Sequence, residues 1–267
     1  MASVLLDWFN RLHWDNLPNR HNWYNWYNWL NLLNRHLTYG FSLIMQQKKF
    51  TVSAVIFDLD GTLLDTLADI ANAFNAVLRK RGLPEHPTDA YRDFVGDGPR
   101  VLTERALPES RRSAVAVEAC LQEYLDHYRG NPQVEARPYD GIPELLDALT
   151  RRRIPMAIVS NKVHDAAVAS ARDLLGAWRF SPVFGFREGV PRKPDPFMAL
   201  AAAGELGLPP QQTAFVGDTA IDMQTAADAG MVPVGALWGF RTEEELRRSG
   251  ARALLAHPTR LLDAIGP

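Results

Sequence analysis

Six short apolar runs, separated by helical stretches, most constrain the fold of this 267-residue chain. Several runs are rich in β-branched residues and none alternates strictly, which is typical of strands buried on both faces of a parallel sheet. Parallel neighbours need long crossovers, and most of the gaps can hold a helix. The pattern predicts a doubly wound α/β fold, with strands in the runs 52–57, 156–160, 182–186, 213–217, 232–238 and 251–256.

The gap between the first two runs is too long for one crossover and has mainly helical patterns. Apolar residues recur at helical spacing from Leu67 to Leu78, after a Thr66 and Asp69 pair spaced like a capping box. We expect a helical cap domain inserted over the mouth of the sheet. The predicted boundaries are 66–137 for this cap and 51–65 with 138–267 for the core, with further cap helices over 88–94, 99–107 and 110–129.

Composition narrows the class of protein. A formal charge of −2 gives no basic surface for nucleic acid or anionic lipid. No run approaches the roughly 20 apolar residues of a membrane span, and the N-terminus lacks the form of a signal peptide. Cys120 is the single cysteine, which excludes an intrachain disulfide and fits a reducing compartment. We expect a cytoplasmic protein, monomeric or homodimeric, that binds neither nucleic acid nor membrane.

Residues 1–50 are an atypical extension rich in Trp and Asn, with five of the seven Trp in the first 29 residues. Asn recurs every three residues from 22 to 34, whereas an α-helix turns every 3.6 residues. The Asn side chains therefore interrupt every face and disfavour an amphipathic anchor. We expect a marginal helix or disorder here. We also expect residues 1–44 to be dispensable, as an upstream repeat read from a misassigned start.

Polar residues follow four of the predicted strands, where open α/β folds bind ligands. Asp58 and Asp60 follow the first run, and Ser160 and Asn161 end the second, at the predicted start of a helix that could hold an anion. A calcium loop is excluded because Thr62 stands where a third ligand is needed and no helix precedes it. Taken alone, the first pair could cap a turn, and Ser-Asn is a common turn.

The other two strand-end segments add a cation and two further acids. Lys193 lies in a proline-stiffened loop, and Asp218 and Asp222 follow the fourth run, spaced to share one face of the next helix. A solvated lysine, an N-cap and an exposed acid would explain each residue separately. All these explanations would have to hold at four strand ends of one sheet, so we favour a common site.

In order and spacing, the four segments resemble the motifs of the haloacid dehalogenase superfamily. The segment DLDGTLLDT resembles its first motif and VSN its second, while RKPDP resembles the third and GDTAIDM the fourth. The resemblance covers roughly residues 51–265. It implies an α/β core with an inserted helical cap and a Mg²⁺-dependent phosphatase acting on a small phosphorylated metabolite.

The resemblance implies a role for each matching residue. Asp58 would be the nucleophile and Asp60 the general acid and base. Attack of a carboxylate on a phosphate opposes two negative charges, which costs about 4 kcal/mol per charge pair at 4 Å for an effective dielectric near 20. Mg²⁺ and Lys193 would offset that repulsion. Mg²⁺ would be held by Asp58, Asp218 and the main-chain carbonyl of Asp60. Ser160, Asn161 and Lys193 would bind the phosphoryl group, and Asp222 would support the metal or orient Lys193.

The segment around Gly96 resembles the cap of phosphoglycolate phosphatases. Candidate specificity residues are Gly96, Asp97, Gly98 and Arg100, with Arg100 placed to pair with a carboxylate. A glycine turn between two cap helices explains the same residues. We therefore expect hydrolysis of 2-phosphoglycolate, with sugar phosphates or pyrophosphate as alternative substrates. A phosphomutase and a non-catalytic binding protein on the same fold are further alternatives.

Overall fold

The computed structural model describes residues 50–130 and 134–266, so the Trp- and Asn-rich repeat lies outside it. Ten strands lie in the described residues: β1 Phe50–Thr51, β2 Ala54–Phe57, β3 Leu64–Asp65, β4 Arg137–Pro138, β5 Met156–Val163, β6 Val183–Phe186, β7 Thr213–Gly217, β8 Val232–Ala236, β9 Ala253–Leu255 and β10 Ile265–Gly266.

Six of the strands form the main sheet, in the order β6-β5-β2-β7-β8-β9. Every neighbouring pair in this sheet is parallel. The six strands fall within the six predicted runs, apart from an extension of β5. The predicted α/β fold with a parallel sheet is therefore confirmed.

Helices connect the strands of the sheet and fill the long gap after the first strand. Ten α-helices are described: α1 Leu67–Lys80, α2 Tyr91–Phe94, α3 Pro99–Ala106, α4 Ala114–Gly130, α5 Ile142–Arg151, α6 His164–Leu175, α7 Phe197–Leu206, α8 Ala220–Asp228, α9 Glu243–Arg248 and α10 Leu261–Ala264. None of the helices in the described part of the chain combines the length and the apolar character that a membrane span needs.

The central strands bury side chains on both faces. In β2, Val55 and Phe57 join one hydrophobic cluster, and Ile56, between them, joins the cluster on the opposite face. Leu145 of α5 packs in the first cluster and Met198 of α7 in the second. Because helices cover both faces, an apolar residue is needed at every position of the strand, which explains the missing alternation in sequence.

Helices α1 to α4 pack around a hydrophobic cluster of their own. Phe74 lies 6.4 Å from Tyr91 and 5.6 Å from Tyr124, measured between ring centroids. Phe240, which follows β8, is buried in the same cluster and connects it to the sheet. The domain boundary at residues 66 and 137 stays a prediction.

The helix α1 begins without the predicted capping box, which was wrong. The hydroxyl of Thr66 is buried and donates to Asp60 Oδ1 at 2.9 Å instead of capping the helix. Asp69 accepts main-chain hydrogen bonds from the returning chain, among them one from Ala136 at 2.8 Å. Tertiary partners have replaced the local ones that the spacing suggested.

The chain leaves the sheet for the helical segment and returns to it through adjacent extended segments. The strands β3 and β4 pair antiparallel, with Leu64 opposite Pro138 and Asp65 opposite Arg137. Tyr139 also donates from its main chain to Leu63 O at 3.2 Å. The two crossings are thereby held side by side.

Candidate active site

Three neighbouring central strands bring the predicted site residues together. Asp58 follows β2, Asp218 follows β7, and Ser160 and Asn161 lie in β5. The order β5-β2-β7 puts the carboxyl ends of these strands next to one another. Lys193 reaches the same place from the loop before α7.

Asp58 lies beneath the surface with 7% of its area exposed. Its Oδ1 forms an ion pair with Lys193 Nζ at 2.9 Å, but the two groups are not oriented for a hydrogen bond. Burial raises the pKa of Asp58 to about 6, the charge of Asp222 adds to this, and Lys193 opposes it. Asp58 is thus a buried carboxylate whose charge is only partly compensated.

Lys193 is held between two carboxylates. Its Nζ lies 2.6 Å from Asp222 Oδ1 as well as 2.9 Å from Asp58 Oδ1, and 5.6 Å from the centre of the Phe215 ring. Burial alone would lower the pKa of Lys193, but Asp222 and Asp58 together raise it above its ordinary value. The ammonium is therefore a fixed positive charge in the site.

Asp218 is fully buried and fixed by two donors. Thr62 Oγ1 donates to its Oδ1 at 2.9 Å, and the main-chain N–H of Phe240 donates to its Oδ2 at 2.8 Å. Burial raises the pKa of Asp218 to about 8, with further contributions from Asp222 and Asp58. Gly61 lies against this carboxylate, and a Cβ added there would come within 2.5 Å of Asp218 Oδ2.

The expectation that Asp218 and Asp222 share a face of one helix was wrong. The helix α8 begins after Thr219, which is its N-cap, so Asp218 precedes the helix. Asp222 closes a capping box, because its Oδ2 accepts from the main-chain N–H of Thr219 at 3.0 Å and from its hydroxyl at 2.7 Å. The other oxygen of Asp222 receives Lys193.

The acidic centre fits a divalent cation. Oxygen atoms of Asp58, Asp218 and Asp222 lie within 4.8 Å of one another. The charge of Asp222 is balanced by Lys193 at 2.6 Å, whereas the two donors to Asp218, Thr62 and Phe240, are uncharged, so Asp218 together with Asp58 is better placed to hold an ion. Two buried carboxylates with raised pKa values need further positive charge, and hard divalent cations prefer oxygen ligands of this kind.

Asp60 turns away from this centre. Its Oδ1 accepts hydrogen bonds from Thr66 at 2.9 Å and from Lys162 Nζ at 2.8 Å. Lys162 also donates to the hydroxyl of Tyr128 in α4, at 2.8 Å. Burial alone would lower the pKa of Lys162, but Asp60 and Tyr128 raise it. The carboxylate of Asp60 is thereby fixed between the sheet and the helical segment.

Ser160 and Asn161 do not stand where a helix begins, contrary to the expectation from sequence. The strand β5 continues to Val163, and its pairing with β6 shifts register between Val159 and Val163. Residues Ser160 to Lys162 lie in this irregular stretch of β5, and α6 starts only at His164. An extended chain with an irregular register replaces the predicted helix N-terminus.

The amide of Asn161 connects three segments. It donates to the carbonyl of Lys193 at 3.0 Å and of Gly96 at 3.1 Å, and accepts from the main-chain N–H of Lys193 at 2.9 Å. Ser160 is buried, and its Oγ accepts from the main-chain N–H of Lys162 at 3.3 Å. In this arrangement the side chain of Asn161 positions Lys193 and the glycine loop.

The four predicted cap residues separate into two groups. Gly96 and Gly98 line the cavity above Asp58, and Gly98 has a φ of +89°, which favours glycine. Asp97 pairs with Arg105 at 2.7 Å, and Arg100 pairs with Glu118 at the surface, where 46% of the Arg100 side chain is exposed. The structure therefore brings the glycines, but not these two charged side chains, to the cavity.

A cavity of about 560 Å³ opens between the sheet edge and the helical segment. The sheet contributes polar groups to its wall, including Asp58, Asp60 and Lys162, whereas α4 contributes Tyr124 and Tyr128. Pockets with largely apolar walls and a few polar groups at one end are typical of small-molecule sites.

Three residues of the site lacked a predicted role. Lys162 directly follows Asn161 in the sequence, and that adjacency was the available signal. Tyr128 lies within the predicted helix 110–129, but its partner is remote in sequence. Phe240 acts on Asp218 through its main-chain N–H, which leaves no mark on residue type.

Comparison with known proteins agrees with this geometry. The family model described as haloacid dehalogenase-like hydrolase matches residues 52–230. N-acetylmuramic acid 6-phosphate phosphatase of Pseudomonas aeruginosa is 36% identical over 221 residues, which are 82% of this chain and 96% of that protein. A phosphoglycolate phosphatase of Aquifex aeolicus is 34% identical over 186 residues, 70% of this chain and 85% of the relative.

Solved structures agree as well. A haloacid dehalogenase-like family hydrolase of Streptococcus pneumoniae superposes with a TM-score of 0.71 and 25% identity, covering 79% of this chain and 97% of its own. The family model extends over well over half of the chain, and both relatives exceed 30% identity across most of their length. The chain is an enzyme of the haloacid dehalogenase-like hydrolase family.

Proposed function

We propose that the protein hydrolyses a small phosphomonoester in a Mg²⁺-dependent reaction through an aspartyl-phosphate on Asp58. The observation that supports this most strongly is the pairing of Asp58 with Lys193 at 2.9 Å in the wall of the cavity. At this position the carboxylate nucleophile would attack the phosphate beside a fixed cation, which offsets the repulsion between the two negative charges. The names of the two relatives described above, both phosphatases, support the same reaction class.

The reaction has two steps. An oxygen of Asp58 attacks phosphorus, the bond to the leaving oxygen breaks, and Asp60 gives that oxygen its proton. Asp60 then takes a proton from water, whose oxygen attacks phosphorus and releases phosphate and the free carboxylate of Asp58. Lys193 and the hydroxyl of Ser160 bind the phosphoryl oxygens. Asp58, Asp218 and the main-chain carbonyl of Asp60 would hold Mg²⁺, which when bound neutralises charge on the phosphoryl group.

The first candidate substrate is 2-phosphoglycolate. Several relatives carry the name phosphoglycolate phosphatase, including those of Aquifex aeolicus and Xanthomonas campestris. The glycine loop at 96–98 faces the cavity and is the part of the helical segment that resembles those enzymes.

A sugar phosphate is the second candidate. A cavity of about 560 Å³ lies within the range of sites that enclose larger metabolites. The Pseudomonas aeruginosa relative, named for a phosphorylated amino sugar, matches over more of this chain than the Aquifex aeolicus relative does. Values of kcat/KM for 2-phosphoglycolate, N-acetylmuramic acid 6-phosphate and pyrophosphate would rank the candidates.

The reaction class is tested with p-nitrophenyl phosphate. We expect phosphate release that requires Mg²⁺ and that falls about a thousandfold or more in Asp58→Asn, which retains the shape but not the nucleophile. The matched control is Asp263→Asn, at an exposed acid that pairs with Arg260 and does not line the cavity. Full activity of Asp58→Asn, or no release from any phosphomonoester by the wild type with Mg²⁺, would contradict the proposal.

A further inference from the structure

Lys162 is a buried cation on the leaving-group side of the proposed reaction. Its side chain is only 6% exposed, and its Nζ lies 2.8 Å from Asp60, the proposed proton donor to the leaving oxygen. It lines the cavity, and the Tyr128 ring lies beneath it at 5.0 Å. The residue has no role in the two steps above.

An ammonium has three hydrogens to donate. In the described residues, two of them go to Asp60 Oδ1 and Tyr128 Oη, both at 2.8 Å. Lys162 therefore retains donor capacity on the face it presents to the cavity. A substrate anion there would receive a charge-assisted hydrogen bond shielded from water.

The other cations near the cavity are less suited to this task. Arg172 also lines the cavity, but its side chain is 72% exposed and it forms a two-point contact with Asp173. Arg100 is paired with Glu118 and is not among the lining residues. Lys193 is occupied by Asp58 and Asp222. Among the described residues, Lys162 is thus the buried cation that donates to Asp60, the proposed proton donor.

The position of Lys162 also limits how far its anion can be from the ester bond. Asp60 must contact the leaving oxygen, and Lys162 Nζ is one hydrogen bond from Asp60. A carboxylate on the carbon next to that oxygen comes within reach of the ammonium. The lactyl carboxylate of a muramic acid, across the sugar ring from the 6-phosphate, does not.

We propose that Lys162, assisted by Tyr128, binds the carboxylate of phosphomonoesters whose carboxyl group is attached to the esterified carbon, as in 2-phosphoglycolate. The proposal rests on the proposed function and names its substrate class. Tyr128 lies in α4, so carboxylate binding at Lys162 also connects the sheet to the helical segment.

The test compares matched substrates that differ in one carboxylate. The ratio of kcat/KM for 2-phosphoglycolate over ethyl phosphate is measured in the wild type, in Lys162→Met and in the control Arg172→Gln. We expect the ratio to fall about 10- to 100-fold in Lys162→Met, the value of a hydrogen bond to a charged group, and to stay unchanged in the control. The ratio for N-acetylmuramic acid 6-phosphate over N-acetylglucosamine 6-phosphate should be the same in all three proteins.

Using a ratio separates substrate binding from the positioning of Asp60, because loss of Asp60 alignment slows both substrates equally. If Lys162→Met lowered kcat/KM equally for 2-phosphoglycolate and ethyl phosphate, the proposal would be overturned. A change confined to the ratio for N-acetylmuramic acid 6-phosphate over N-acetylglucosamine 6-phosphate would overturn it as well. A wild type that hydrolyses p-nitrophenyl phosphate but does not favour 2-phosphoglycolate over ethyl phosphate would overturn it and leave the proposed function standing. Failure on every phosphomonoester would instead remove the proposed function.

A measurement on the wild type alone does not depend on whether the variant folds. Glycolate should inhibit hydrolysis of p-nitrophenyl phosphate at concentrations where ethylene glycol does not, since only glycolate carries the carboxylate. Equal inhibition by the two compounds would overturn the proposal.

Discussion

At the scale of single residues, Asp222 combines two tasks in one carboxylate. One oxygen holds Lys193 at 2.6 Å, and the other closes the capping box of α8 at Thr219. The start of a helix is thereby tied to the position of the cation that faces Asp58. Local helix chemistry and the charge balance of the site cannot be changed independently at this residue.

Asp222→Asn separates the two tasks, because an amide keeps a carbonyl oxygen for Thr219 but loses the charge that holds Lys193. We expect kcat/KM for p-nitrophenyl phosphate to fall about 10- to 100-fold, as for other partners that orient a residue in direct contact with substrate. Thr219→Val is the matched comparison: it should lower the free energy of unfolding by about 1 kcal/mol through loss of the cap, with less effect on kcat/KM. Equal losses of activity in the two variants would contradict this assignment.

At the scale of secondary-structure elements, two arginines join the helical segment to the sheet. Arg241, before α9, donates to the carbonyl of Arg92 and, at 2.9 Å, to that of Val95. Arg92 donates in return to the carbonyl of Gly239 at 3.0 Å. The carbonyls of Arg92 and Val95 lie at the C-terminal end of α2, and Arg241 is largely buried, so these contacts brace α2 and the glycine loop that follows it.

Arg241→Ala should weaken the contacts between the helical segment and the sheet without unfolding the sheet. We expect faster hydrogen exchange at amides of α2 and α3, while amides of β2 and β7 stay protected, because local opening depends on local contacts. The control is Arg247→Ala, at an exposed residue of α9 that pairs with Glu243. Faster exchange throughout the sheet would mean that Arg241 stabilises the whole fold rather than only the contacts of α2 and the glycine loop.

The elements also mark the limit of what the sequence could predict. Apolar runs ending in Asp58 and Asp218 predicted strands and acids at one sheet edge, because strand burial and chain direction are local properties. The irregular register around Lys162 could not be predicted, since it is a feature of the pairing with β6, which lies more than twenty residues later. The contact of Phe240 with Asp218 was hidden for another reason: it uses the main chain, which every residue type provides.

At the scale of the whole molecule, the acidic centre opposes folding in the absence of a cation. Asp58 and Asp218 have pKa values of about 6 and about 8, above the value near 3.8 of an unfolded chain. Between those limits the folded protein binds more protons than the unfolded one. The free energy of unfolding of the metal-free protein therefore falls as the pH rises from the unfolded pKa toward these higher values.

We accordingly expect chelator-treated protein to lose thermal stability steadily from about pH 4 to about pH 8. Added Mg²⁺ should raise Tm, and by more at pH 8 than at pH 5, since protons compete for the same oxygens at low pH. Thermal unfolding at fixed ionic strength measures both effects. In Asp218→Asn both should shrink, and an unchanged Mg²⁺ effect in that variant would exclude Asp218 as a ligand.

The pairing of β3 with β4 has a consequence for how such a molecule can diversify. Both ends of the helical segment leave the sheet side by side, so the span that an insert must bridge is fixed and short. The entropy of closing a loop grows only slowly with its length, and inserts of different size fit the same exit. New substrate specificities can then arise when the helical segment is replaced by that of a relative, while the acidic centre stays unchanged.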